Sequence, residues 1–272
     1  MTINTRVRSA DGTEIAVEVS GRGPALVLVS GAFGERSFPA MRELAARLSD
    51  RFTVANYDRR GRGDSGDTAP YAVAREIDDL RAVVDSLDGP VAAWGLSSGA
   101  ALVVEAVAAG VPLRWASLYE PAYETDPVPR HPRAEIAADV TGRLSRGDRS
   151  GAVRAFMTRA LHVPAPITAV MRLTPAWRRL TALAHTLPYD LAVTAPDLSG
   201  RVPAPERWAA ITTPIDVLVG SKSPAVLQRS ARAVAEALPT AALRVLPGQN
   251  HVIDPEAAAA AVIAGDPLTP AP

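Results

Sequence analysis

The sequence predicts an α/β fold: a mostly parallel sheet of roughly eight strands, helices on both faces, and an inserted α-helical cap. Three observations carry this. Short strand-like runs, such as the continuous apolar Ala25–Val29 and Ile215–Gly220 with its single Asp216, alternate with segments of helical period. A strand buried on both faces reads as such a run, and strand–helix alternation builds a parallel sheet. A glycine-bracketed serine, Gly95-Leu96-Ser97-Ser98-Gly99, stands where one run ends and an alanine-rich helical pattern begins. Between residues 121 and 208 the strand rhythm stops, and Pro, Arg and Ala dominate. These features place a core domain at 1–120 and 209–272 and a helical cap or lid at 121–208.

The elements follow in order. Ile3–Ser9 and Thr13–Ser20 are β-rich runs joined by Asp11-Gly12, a hairpin turn signal. Ala25–Val29 is a buried strand that leads into the small-residue loop Ser30-Gly31-Ala32-Phe33-Gly34. A helical pattern runs from about Phe38 to Leu48, and Phe52–Tyr57 is the next strand. Asp58–Gly66 is a glycine-punctuated loop. Val73, Ile77, Leu80, Val84 and Leu87 repeat at helical spacing. Val91 opens the strand before Ser97, and Trp115–Tyr119 is another strand. After the helical stretch come the strand Ile215–Gly220, a helix over Ala225–Leu238, the strand Ala242–Leu246 and a last helix over Asp254–Ala264.

Composition narrows the classes. The chain has 272 residues, 47% of them hydrophobic, and a formal net charge of zero. That suits a large globular core and neither a nucleic-acid binder nor an acidic tail protein. Lys222 is the only lysine, and the arginines are scattered, which reads as a solvated surface. With no cysteine, disulfides, thiolate metal sites and a cysteine nucleophile are excluded together. No run approaches a membrane span and no signal peptide is visible, so a cytoplasmic location without membrane partners is the expectation.

The chemistry belongs in loops that follow strands, because open parallel sheets bind ligands beyond their carboxyl ends. Ser97 sits on such a turn, with the free N–H groups of the next helix pointing toward it. The bland alternative is a helix cap, a task Ser98 could take instead. A nucleophilic serine needs a base, and the chain offers four histidines: His131, His162, His185 and His251. The first three fall in the insertion, where packing or pocket lining suits His162 and His185. His251 follows the last core strand, on a loop able to fold back beside Ser97.

Together Ser30-Gly31, Tyr57-Asp58-Arg59-Arg60-Gly61-x-Gly63-x-Ser65, Gly95-x-Ser97-x-Gly99 and His251 resemble the α/β-hydrolase family, over roughly 12–120 and 210–265. The resemblance implies Ser97 as nucleophile, His251 as base, and an oxyanion hole made by the amides of Ala32 and Ser98. Phe33 would replace Ala32 if the loop is shifted by one. The chain departs from the family in reading Ser30-Gly31 where His-Gly is common, which a backbone donor tolerates.

A second departure concerns the acid. The loop after Ile215–Val219 should carry an aspartate but reads Gly220-Ser221-Lys222-Ser223-Pro224. Asp216 lies four residues back along the strand, roughly 13 Å from the reactive edge, and is rejected. Glu120 ends the strand after the nucleophile's helix, and Ser97, Glu120, His251 keeps the order nucleophile, acid, base. The bland alternative is that Glu120 merely starts the insertion beside Pro121.

The expected activity is hydrolysis of an ester, lactone or thioester of a small apolar or aromatic substrate through an acyl-enzyme. Phe33, Met157, Trp177 and Tyr189 are candidate substrate-binding residues. A serine nucleophile argues against dehalogenase and epoxide hydrolase chemistry, which uses aspartate there in this fold. A cyclase, lyase or perhydrolase, or an inactive ligand-binding member, stays open. No cofactor or metal is implied: no ligand cluster and no dinucleotide or phosphate-loop fingerprint is present.

Overall fold

The computed structural model describes residues 2–125, 131–195, 199–252 and 254–268. Eight strands form one sheet: β1 (Thr2–Arg8), β2 (Glu14–Gly21), β3 (Ala25–Val29), β4 (Thr53–Tyr57), β5 (Val91–Leu96), β6 (Leu113–Tyr119), β7 (Ile215–Gly220) and β8 (Ala241–Leu246). Their order is β1-β2-β4-β3-β5-β6-β7-β8. The β1/β2 and β2/β4 pairs are antiparallel, and β4, β3 and β5–β8 run parallel. The Asp11-Gly12 turn closes as the sequence implied, with the Thr13 amide donating to Asp11 Oδ1 at 3.0 Å.

The apolar runs are explained by what covers each face. Leu26 and Leu28 face a cluster built with helices α1 (Pro39–Leu48) and α11 (Pro255–Gly265), through Met41, Leu44, Ala258 and Val262. Ala25, Val27 and Val29 point the other way, into a cluster with α2 (Val73–Asp85), α3 (Ser98–Ala108) and α10 (Ala225–Ala237). All five β3 side chains are buried, and each large one contributes roughly 1.5–3 kcal/mol by leaving water. The sequence boundaries hold to within two residues at nearly every element, because both faces are specified residue by residue.

Between β6 and β7 the described residues contain helices α4 (Arg133–Ser145), α5 (Arg149–Ala155), α6 (Ala165–Met171), α7 (Pro175–Ala182), α8 (Leu187–Val193) and α9 (Pro205–Trp208). A wider π turn, Phe156–Ala160, continues α5. Ile136, Val140, Val153, Phe156, Met157, Trp177 and Leu187 form a third cluster, and Ala32 and Phe33 of the β3–α1 loop pack against it. Among the described residues no helix is long and apolar enough to cross a membrane.

One expectation is overturned. Arg59, Arg60 and Arg62 are not solvated: each is at most 1% exposed. Arg60 Nε and Nη2 donate to Asp79 at 2.6 and 2.7 Å. Arg59 Nε donates to Glu76 at 2.6 Å, and Arg59 Nη1 to Asp190 of α8 at 2.8 Å. Arg62 Nη2 spans both Asp190 oxygens at 2.8 Å each. Buried guanidinium groups persist only with such partners, and these partners lie far away in sequence.

Candidate active site

Ser97 occupies the sharp turn between β5 and α3. Its backbone sits at φ 55° and ψ −117°, a conformation rare for a residue with a side chain. The turn is held from both sides: the Ser97 amide donates to the Tyr119 carbonyl at 2.9 Å, and the Ser97 carbonyl accepts from Ala100 at 3.0 Å. The flanking glycines are required by close approach. A Cβ on Gly95 would come within 2.7 Å of Ala100 Cα, and one on Gly99 within 2.3 Å of the Val29 carbonyl. The Ser97 hydroxyl makes no cap bond to α3, so the capping alternative fails. Ser98 does not cap either; its hydroxyl donates to Asp190 Oδ1 at 2.7 Å.

Glu120 is the next residue after β6, fully buried and at φ 51°. Its amide donates to the Leu218 carbonyl at 2.9 Å, which continues the β6/β7 ladder and brings the side chain over the end of β7. There Oε1 accepts from the Gly220 amide at 2.8 Å and from the Ser223 hydroxyl. Oε2 lies 2.7 Å from His251 Nδ1. Ser223, at the position where the family's acid was expected, thus supplies a donor to an acid that comes from the neighbouring strand. Asp216 is paired with Arg244 at 2.7 Å, away from this end, as its strand position required.

The loop carrying His251 is tied at its start. The Lys222 amide donates to the Gln249 carbonyl at 2.8 Å and the Tyr119 hydroxyl to the Asn250 carbonyl at 2.7 Å. Beyond it, Asp254 Oδ1 accepts from the Glu256 amide at 2.9 Å, capping α11.

Ser97 and His251 line one cavity of about 250 Å³. Glu124, Arg133, His162 and the Tyr123 phenol are its other ionisable side chains. Leu161, Val163, Val226 and Leu227 give it an apolar wall. His162 is thereby pocket lining, whereas His185 Nε2 lies 2.8 Å from the Gly61 carbonyl.

The β3–α1 loop lies against the serine: a Cβ on Gly31 would meet Ser97 Cβ at 3.1 Å. Arg62 Nη1 donates to the Gly31 carbonyl at 2.6 Å and to the Gly34 carbonyl at 3.2 Å, and Arg59 Nη1 to the Ser30 carbonyl at 3.3 Å. Asp190 ties both arginines and Ser98 together. Burial alone would raise its pKa, but Arg62, Arg59 and the Ser98 hydroxyl bring it below the ordinary carboxylate value. This cluster is the main feature that sequence reading missed; three arginines in one glycine-punctuated loop were the available signal.

None of the four substrate-binding candidates is among the residues lining the cavity of Ser97 and His251. Met157 and Trp177 are buried in the helical cluster, with Trp177 Nε1 donating to Ser150 Oγ at 2.9 Å. Phe33 packs edge-on against Phe156 at 5.5 Å between ring centres. Tyr189 stacks on Tyr71 at 3.9 Å, and its hydroxyl donates to Asp67 at 2.9 Å. Phe33 also lines a separate cavity with Phe38, Pro175 and Leu180. Among the described residues no cluster of His, Asp and Glu suited to a metal ion occurs.

Known proteins agree with this architecture. The model of the Alpha/beta hydrolase family matches residues 26–264. The crystal structure of an alpha/beta hydrolase from Sphaerobacter thermophilus DSM 20745 is 41% identical, with a TM-score of 0.87 over 95% of this chain and 98% of that one. An esterase from Rhodococcus sp. ECU1013 shares the fold at 22% identity, with a TM-score of 0.69 over 95% of this chain and 96% of that one. An uncharacterized hydrolase, YraK, of Bacillus subtilis (strain 168) is 32% identical over 106 residues, which span only 38% of each protein.

Proposed function

We propose that this chain, which belongs to the alpha/beta hydrolase family, is a serine hydrolase acting on a small ester, lactone or thioester with an apolar acyl group. The observation that carries the reading is the 2.7 Å contact of His251 Nδ1 with buried Glu120, in a cavity that His251 shares with Ser97.

With Nδ1–H donating to Glu120, the His251 Nε2 is the lone-pair nitrogen. It takes the Ser97 proton as the hydroxyl attacks the carbonyl carbon. The imidazolium that forms faces a carboxylate held in place by the Gly220 amide and the Ser223 hydroxyl. The amides of Ala32 and Ser98 receive the oxyanion, each such donor contributing about 3 kcal/mol to the transition state. His251 then protonates the leaving group, and a water activated by the same nitrogen releases the acyl group. Glu120, held by the Ser223 hydroxyl and 2.7 Å from His251 Nδ1, favours this reading over an inactive ligand-binding member.

A fluorophosphonate probe tests it. Labelling of the native chain, abolished in Ser97→Ala, is the expected result; a folded native protein that takes up no label refutes the reading. Turnover of p-nitrophenyl esters of graded chain length, set against lactones and thioesters, then fixes the class of bond cleaved.

A further inference from the structure

The cavity that holds Ser97 and His251 also holds a cation with little to bond to. Arg133 is the first residue of α4, and it lines the cavity wall beside Glu124. A guanidinium presents five N–H donors. Among the described residues the acceptor it reaches is the Ala122 carbonyl, at a long 3.4 Å from Nη2.

Its place in the helix makes the mismatch worse. The first turn of a helix carries partial positive charge from N–H groups without intrahelical partners. Pro132 gives α4 no side-chain cap. A cation at that end is electrostatically misplaced for folding, and Glu135 in the first turn offsets only part of the field. Burial pulls the Arg133 pKa below its ordinary value, against the opposing attraction of Glu124. The group nevertheless stays charged at neutral pH, because an arginine starts so high.

The side chain is also held in place. Gly200, at φ +72°, covers its stem so closely that a Cβ there would come within 2.9 Å of Arg133 Cβ and 3.1 Å of Nε. Only glycine lets the chain pass at that distance. The guanidinium is therefore presented at the wall, while the neighbouring wall residues Leu161, Val163 and Leu227 offer nothing ionic.

We propose that Arg133 receives a carboxylate of the substrate, so that the site prefers acyl esters with a short apolar body ending in a free carboxylate. The planar fork of the guanidinium matches both oxygens of such a group. A neutral substrate would exclude water from Arg133 and add nothing to the long Ala122 contact and the attraction of Glu124, which leaves most of its five donors unmatched and opposes binding. The proposal rests on the serine hydrolase reading and names the substrate class of that same cavity.

Two arms test it. In the first, kcat/KM is compared for mono-p-nitrophenyl adipate and p-nitrophenyl hexanoate, two acyl chains of equal length that differ in the terminal carboxylate. The native enzyme should favour the charged ester by about tenfold or more, mainly through KM. The ratio should fall toward one in Arg133→Met and recover in part in Arg133→Lys. Turnover without a charge preference, or a preference that survives in Arg133→Met, overturns the inference while the hydrolase reading stands.

The second arm measures binding of the same two esters to Ser97→Ala by calorimetry, with and without Arg133→Met. It reads charge preference without any turnover. If no ester is turned over and no probe labels Ser97, a binding preference that depends on Arg133 upholds the anion site and sinks only the catalytic reading. Equal binding of both esters sinks the anion site.

Discussion

Replacing Asp190 by alanine should be among the most damaging single changes in the chain, although the residue lies outside the Ser97–His251–Glu120 constellation. Asp190 is the carboxylate partner of Arg62 and one of two for Arg59. All three side chains are at most 1% exposed. Arg59 Nη2 and Arg62 Nε already lack partners, so the cluster has no spare acceptor to reassign. Removing one side of a buried pair leaves a buried charge uncompensated, which costs about 3–5 kcal/mol. Because Arg59 keeps Glu76, roughly 4 kcal/mol is the working figure. For a chain of this size that lowers Tm by about 8–16 °C.

Urea unfolding and calorimetry at neutral pH measure the change, and pH checks its electrostatic origin. The folded pKa of Asp190 is depressed, so its contribution is complete above the ordinary carboxylate value, about pH 4. It is lost as the pH falls through the lower folded value. The gap between native and Asp190→Ala proteins should therefore narrow below about pH 4. Adding Arg62→Met to Asp190→Leu should recover much of the loss, since removing both charges removes the mismatch. A loss under about 1 kcal/mol at neutral pH, or a gap that ignores acid, would refute the reasoning.

The other predictions concern turnover. Glu120→Gln should lower kcat by roughly three to four orders of magnitude with little change in KM, as expected for loss of a triad carboxylate; near-normal kcat removes Glu120 from the mechanism. Ser223→Ala deletes a donor to that carboxylate, so kcat should fall by about 10- to 100-fold while fluorophosphonate labelling persists at a reduced rate. Gly99→Ala forces a Cβ to within 2.3 Å of the Val29 carbonyl and 2.6 Å of the Ser30 carbonyl. It should destabilise the chain by about 1–3 kcal/mol and slow labelling of Ser97, both readable in one melting and labelling series.

What could be read from the chain follows from how local each cause is. The five apolar residues of β3 specify a doubly covered strand by themselves, and Gly95 and Gly99 mark the serine turn because backbone crowding there is a local matter. Glu120 was found from chain order and the strand it ends, and its carboxylate does meet His251. The burial of Arg59 and Arg62 was not legible. Their shared partner Asp190 lies 131 and 128 residues away, and α8 alone looks like an ordinary helix with one solvated acid. Where Met157 and Trp177 would point was not legible for a related reason. Met157 and Trp177 are apolar in any setting, and only the packing of the helices between β6 and β7 decides that they enter one buried cluster. Arg133 read as one more solvated arginine, and the fold places it on the wall of the cavity that Ser97 lines.

The Asp190 cluster also bears on how such enzymes can be recombined. Helical insertions between β6 and β7 invite exchange, as a way of giving one core another's substrate range. Here the loop after β3, through Arg59 and Arg62, and the Ser98 hydroxyl are anchored to Asp190 of α8, in the helical stretch between β6 and β7. A foreign insertion without an acid at the Asp190 position would leave Arg59 and Arg62 stranded beneath it. A chimera would need that acid carried along, or both arginines replaced, before its new pocket could be judged.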